Sequence, residues 1–229
     1  MIASLHVADV GLIKSFRVRP PSPQTVPGLR DARAGLAARF TDSVIPDPAF
    51  GRAMWSAFWD DEASLDSCLE SKSPLVEMFA EGLTVRMVPL RSHGDWPGFP
   101  TELGDDHVAY DGPVVVITLG LLRLRRSLAS TRASNRVQKQ FLTAPGVIWA
   151  MGASRPPLFA ATVTVWESAT AASTFAHQPG EAHSTAIDEN AGNPFMRQEI
   201  FARFKPCSST GNLGPAPDLA EDWLSDRIG

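Results

Sequence analysis

The chain has 229 residues, of which 44% are hydrophobic and 20% charged, and 21 Lys and Arg stand against 25 Asp and Glu for a net charge of −4. That composition suits one or two globular domains with an ample core, and it excludes a disordered chain. The mildly acidic balance carries no global signature of nucleic-acid binding.

The opening stretch, MIASLHVADVGLIKSFRVRP, has no basic segment leading into a long apolar one, so no secretory leader is expected. His6 lies on the first expected strand, where register decides whether it faces a cavity. Residues 10–50 are rich in Pro and Arg with weak periodicity, and PPSPQTVPG (20–28) reads as an ordered loop. MWSAFWDDEASLDSCL (54–69) is an alternating strand that ends at Trp59, followed by an acid and a helix capped by Asp60 or Asp61. VRMVPLRSHGDW (85–96) closes this first unit as a strand with a Gly-containing exit, and DWPGFPTELGDDHVAYDGP is the connector. His93 and His107 fall in expected loops.

PVVVITLGLL (113–122) is a β-branched run that reads as a buried strand, and it is too short to span a bilayer. A helical stretch bearing Arg and Lys follows over about 126–142, and PGVIWAMG (145–152) gives a further strand. Residues 112–166 contain no Asp or Glu, so this segment suits an anionic cofactor, acidic lipid head groups or a solvated face balanced elsewhere. VTVWESATAASTFA (163–176) repeats the strand–Trp–acid–helix pattern of 54–69, with Trp166 for Trp59 and Ser168 as the cap. ARFKPCSSTGNL (202–213) repeats 85–96, with Arg203, Pro206 and Gly211 following Arg86, Pro89 and Gly94 at a constant offset of 117. The second unit therefore reads β-α-β-β-α-β, a ferredoxin-like order.

The expected fold is α+β: tandem ferredoxin-like units in one chain, an internal form of the dimeric α+β barrel. The expected boundaries are 1–98 for the first unit, 99–112 for a connector, 113–214 for the second unit and 215–229 for an acidic tail. An apolar cavity is expected between the two sheets, with Thr118, Trp149, Ser154 and Arg155 flanking it.

Trp166 and Arg203 are 37 residues apart where Trp59 and Arg86 are 27 apart, so the second unit carries ten extra residues around HQPGEAHSTAIDEN. Pro179-Gly180 breaks the first helix, and His177 just before it suits a C-terminal cap. On a helix beyond the break His183 and Ile187 share a face, with Ala182 and Ala186 beside them. Small neighbours around an inward imidazole are what an axial haem ligand needs; a hydrogen-bonded core histidine is the commoner use of such a position. Cys68 and Cys207 form no CxxC pair, and Cys207 in KPCSS reads more simply as a free thiol than as a thiolate ligand.

In order, GPVVVITLGLLR, APGVIWAMGASRPPLFAATVTVWES, AHSTAI and FMRQEIFARFKP…GNLG resemble segments of the spheroidene monooxygenase family, over residues 112–214 and more loosely over 52–98. That family has a small-residue GIGE-like turn where this chain reads Gly152-Ala153-Ser154-Arg155, a base in place of the acid. The resemblance implies a haem-dependent monooxygenase acting on an apolar small molecule, with His183 at the family's inward histidine. Arg136, or another base of the acid-free stretch, would pair with the propionates. It also implies an external electron donor; a cytoplasmic protein is expected from the lack of a leader, of a spanning run and of a cysteine framework, and a homodimer stays open. Related barrels support haem-dependent dehydration and peroxidase-type reactions, and a non-catalytic barrel for hydrophobic ligands is the reading from another class.

Overall fold

Ala3, Leu5 and Val7 alternate along Ile2–Asp9 with Ser4, His6 and Ala8, and both faces of this strand are buried. It is the first of eight strands in the computed structural model, which describes residues 1–40, 47–100, 110–126, 140–141, 143–155, 158–177 and 196–211. The first half runs β1 (Ile2–Asp9), α1 (Leu12–Arg17), β2 (Leu29–Arg39), β3 (Asp47–Trp59), α2 (Glu62–Glu70), α3 (Pro74–Phe79) and β4 (Leu83–Gly94). The second half runs β5 (Val114–Leu122), a 3₁₀ turn (Leu124–Arg126), β6 (Val147–Arg155), β7 (Phe159–Trp166), α4 (Ala169–Ala176) and β8 (Met196–Thr210). Asp61 and Ser168 cap α2 and α4 by accepting the N–H of Ser64 and Ala171, as the repeated strand–Trp–acid pattern requires.

All neighbouring strands are antiparallel, in the closed order β1-β3-β2-β6-β7-β5-β8-β4. Each half contributes one ferredoxin-like sheet, 4-1-3-2 in strand order, and the sheets join along β2·β6 and β4·β8. Closure leaves no sheet edge free for another chain.

The β4·β8 seam explains the repeat at offset 117. Pairing slips by one residue on each strand: β4 skips Leu90 and β8 skips Cys207. Each skipped residue follows a proline, Pro89 or Pro206, that cannot donate to the ladder, and a bulge is where a strand tolerates one. Gly94 and Gly211 sit at φ +98° and +78°, and a Cβ on either would collide with a backbone oxygen, that of Glu199 or of Gly82. Both devices relate β4 to β8 by an approximate two-fold.

Inside the barrel Leu5, Val7, Met54, Phe58, Met87, Ile117, Leu119, Met151, Val163, Ile200 and Phe204 form one buried cluster. Phe58, Phe99 and Phe204 meet ring to ring, with centroids 4.9–6.3 Å apart. Trp96 closes one end, donating its indole N–H to Asp31 at 2.8 Å, and the Arg33 guanidinium grips the same carboxylate and lies over the Trp96 ring. This corrects the expectation of a cavity between the sheets: an eight-stranded barrel has room for its own side chains, and here they fill it. Trp149 belongs to this packing.

Candidate functional site

The space available to a ligand lies on the outer faces of the two sheets, and there the halves differ. One outward row of the first sheet runs Ala34, Trp55, His6, Thr84 and, across the seam, Thr210. The equivalent row of the second runs Gly152, Thr162, Thr118, Phe201 and His93. Trp55 and Thr162 both stand four residues before the strand-ending tryptophan, and His6 and Thr118 are their direct cross-strand partners.

In the first half this slot is full. The His6 ring stacks on the Trp55 indole at 3.8 Å and 10° between planes, and Trp55 meets Trp59 and Phe79 edge to face. Leu65, Cys68 and Phe79 from α2 and α3 cover the pair, leaving Trp55 at 0% and His6 at 1% exposure. His6 Nδ1 lies 2.9 Å from the Thr84 hydroxyl, whereas His6 Nε2 and the Trp55 indole N–H have no partner among the described residues. Burial, assisted by the nearby Arg86 charge, pushes the His6 pKa down to about 3, so the ring is neutral. The register therefore places His6 outside the barrel, in the layer between sheet and helices.

In the second half the slot is lined by short side chains. Thr118 and Thr162 are half-buried, and neither hydroxyl has a hydrogen bond within the described residues. The flanking outward rows are equally short: Ser154, Ala160 and Gly120 on one side, Ala150, Thr164 and Val116 on the other. Phe40, Phe141, Phe175 and Trp166 form an aromatic wall beside this floor, with Phe40 stacked on Phe141 at 5.7 Å and Phe141 on Phe175 at 4.6 Å. The Trp166 indole donates to Thr164 at 2.8 Å, as Trp59 does to Ser4 in the first half at 2.9 Å. An open groove of about 750 Å³, whose lining includes Asp95, Leu121, Arg123, Met196 and Glu199, borders the floor where Met196 covers Gly120.

The rim carries two guanidiniums, with the Asp111 carboxylate near one of them. Arg203 projects from β8 on the outer face, donates to the Ser173 hydroxyl of α4 at 3.0 Å, and stands directly opposite Arg91 of β4. Burial first, and the Arg91 charge second, lower the Arg203 pKa from its ordinary value. Two guanidiniums at the edge of an apolar floor suit a carboxylate. Among the described residues no group of three or more His, Cys, Asp or Glu could hold a metal, and no helix is long and apolar enough to cross a membrane.

Sequence reasoning located some of these groups and missed others. His177 is the α4 cap it was expected to be, with Nδ1 2.8 Å from the Ser173 carbonyl oxygen. His93, expected in a loop, is an exposed residue of β4. Thr118 lies on the floor, while Ser154 pairs with Leu36 at the β2·β6 seam and Arg155 ends β6 opposite Phe159. Cys207 is the exposed bulge residue of β8, and burial of its sulfur pushes the thiol pKa up, which disfavours a thiolate. His183, Ala182, Ala186, Ile187, Arg136 and His107 lie outside the described residues. Thr162, Phe201 and the Arg91–Arg203 pair were missed. The signal for Thr162 was in the repeat, where MWSAFW sets Trp55 against the first threonine of ATVTVW.

The chain is 28% identical to spheroidene monooxygenase of Rubrivivax gelatinosus over 190 residues, 81% of this chain and 72% of that one. The resemblance to that family read from the sequence is thereby borne out. No protein-family model matches. Among solved structures, a candidate monooxygenase of Fusobacterium nucleatum superposes with a TM-score of 0.41 at 7% identity, covering 92% of this chain and 94% of that one. A second, from Lactobacillus acidophilus, gives 0.40 at 10% identity, covering 92% and 95%.

Proposed function

We propose that the chain is a haem-dependent monooxygenase acting on an apolar small molecule, with its second half as the catalytic one. One observation carries the reading: where the first sheet packs the stacked Trp55–His6 pair, the second presents Thr162 and Thr118. A flat macrocycle needs such a floor of short side chains. The reaction class is that of the relative, a spheroidene monooxygenase.

His183, among Ala182, Ala186 and Ile187, is the proposed iron ligand, and Arg203 and Arg91 at the rim are proposed partners for the propionates, with Arg136 as a third. Bound haem would supply oxygen activation, with electrons from an external donor. The chain's own residues have plainer tasks. Phe40, Phe141, Phe175 and Trp166 exclude water from one side of the floor and give an apolar substrate a surface to pack on. The Thr118 and Thr162 hydroxyls offer the only hydrogen-bonding groups of the central row apart from the His93 ring, and so orient a polar atom held against it.

Absorption spectroscopy tests the proposal. Protein expressed with added iron and haem precursor shows a Soret band that shifts on reduction, and His183→Ala loses or shifts it. Colourless protein from the same preparation overturns the haem reading and leaves a barrel that binds an apolar ligand without metal.

A further inference from the structure

Helix α1 buries little. Its one buried residue, Ser15, turns inward and donates its hydroxyl to the Leu12 carbonyl at 2.8 Å, while Val10 and Val18 anchor the ends in the core. The other side carries Leu12, Ile13 and Phe16, which are 58%, 66% and 58% exposed. Phe50 of β3, 64% exposed, extends the patch, its ring 6.1 Å from that of Phe16. Only one other large hydrophobic, Leu124, is comparably exposed among the described residues, so four of five gather here. Exposed side chains this large are tolerated singly; gathered on one protruding turn they mark an interaction surface.

Charge identifies the partner. Residues 10–30 contain no Asp or Glu, and Lys14, Arg17 and Arg19 are all exposed beside the apolar tip. Asp9, the nearest preceding acid, is neutralised by Arg52 in a bidentate pair at 2.8 and 2.9 Å. A short amphipathic turn with apolar residues at its crest and cations at its flanks matches the interface of an anionic bilayer: the rings enter the acyl boundary while the cations meet phosphates. A second copy of the chain would bring these same cations together and is disfavoured.

We infer that α1 and Phe50 form a docking site for an anionic lipid surface, by which the protein rests on a membrane without crossing it. Cosedimentation of the full chain with vesicles tests this. Binding is expected to vesicles of phosphatidylcholine with phosphatidylglycerol, to weaken with salt, and to be slight with phosphatidylcholine alone. Each cation removed in Lys14→Gln and Arg17→Gln should weaken binding roughly fivefold. Phe16→Ser combined with Phe50→Ser should remove it while circular dichroism stays unchanged. Equal binding by wild type and these variants, or none to anionic vesicles, overturns the inference. So does a wild-type dimer in sedimentation velocity that Phe16→Ser dissolves, because it makes a second copy the occupant.

Discussion

His6 offers a measurement that is independent of any cofactor. Its ring is sealed between Trp55 and the α2–α3 layer, and its pKa falls from 6.5 to about 3 through burial first and the Arg86 charge second. A lowered native pKa means that the unfolded chain takes up this proton at a higher pH than the folded one. The stabilising effect of the neutral ring is complete above pH 6.5 and is lost as pH falls from 6.5 toward 3. The slope is about 1.4 kcal/mol per pH unit, so between pH 7 and pH 4.5 the wild type should lose on the order of 3 kcal/mol through this residue alone. His6→Phe keeps a ring to stack on Trp55 and cannot titrate. Urea unfolding of both proteins across that range isolates the term, since the remaining titrating groups are common to both. Parallel stability profiles, or an imidazole resonance for His6 titrating near pH 6, would refute the assignment of a dry, neutral ring.

Three further outcomes follow from the geometry. Rebuilding the first half's ring pair in the second, by Thr162→Trp with Thr118→His, should abolish the Soret band and leave the far-ultraviolet spectrum unchanged. Gly94→Ala and Gly211→Ala should each cost at least about 2 kcal/mol in urea unfolding, and by similar amounts, since both combine positive φ with a carbonyl collision. Trp96→Phe, which leaves the buried Asp31 carboxylate short of one donor, should cost about 1.5–3 kcal/mol by the same measurement.

Much of the architecture was legible where local chemistry repeats. Capped helices after Trp59 and Trp166 follow from an acid or a serine at the right place, and the offset of 117 follows from prolines and glycines with positional meaning in a strand. The opening of the first half was not legible, because α1 is a six-residue helix with no side-chain cap and its apolar side faces outward, opposite to the usual pattern. The face of His6 needed a register across β1, β3 and β4, which no single strand contains. The cavity was misplaced for a related reason. Apolar alternation shows that a strand has an inner face but not whether the opposing face fills the gap, and Phe58, Phe99 and Phe204 do fill it.

The two halves also show which difference is structural and which demands a function. Packing Trp55 against His6 is costly in polar terms, because it strands the indole N–H and the imidazole Nε2 in an apolar layer. The first half accepts that cost for a large, dry aromatic contact that needs nothing from outside the chain. The second half keeps the same barrel strands, the same Trp–hydroxyl bond at Trp166 and the same capped helix, yet gives up the contact at its centre. If the outer layer served stability alone, the filled solution would suit both halves, since the strand pairing beneath the slot is equivalent. Among the described residues, the short threonines beneath an aromatic wall, with Arg91 and Arg203 at the rim, make no apolar contact like that of Trp55 with His6. On the proposed reading a bound ligand would supply that surface, so the rebuilt ring pair should remove binding while urea unfolding shows no loss of stability.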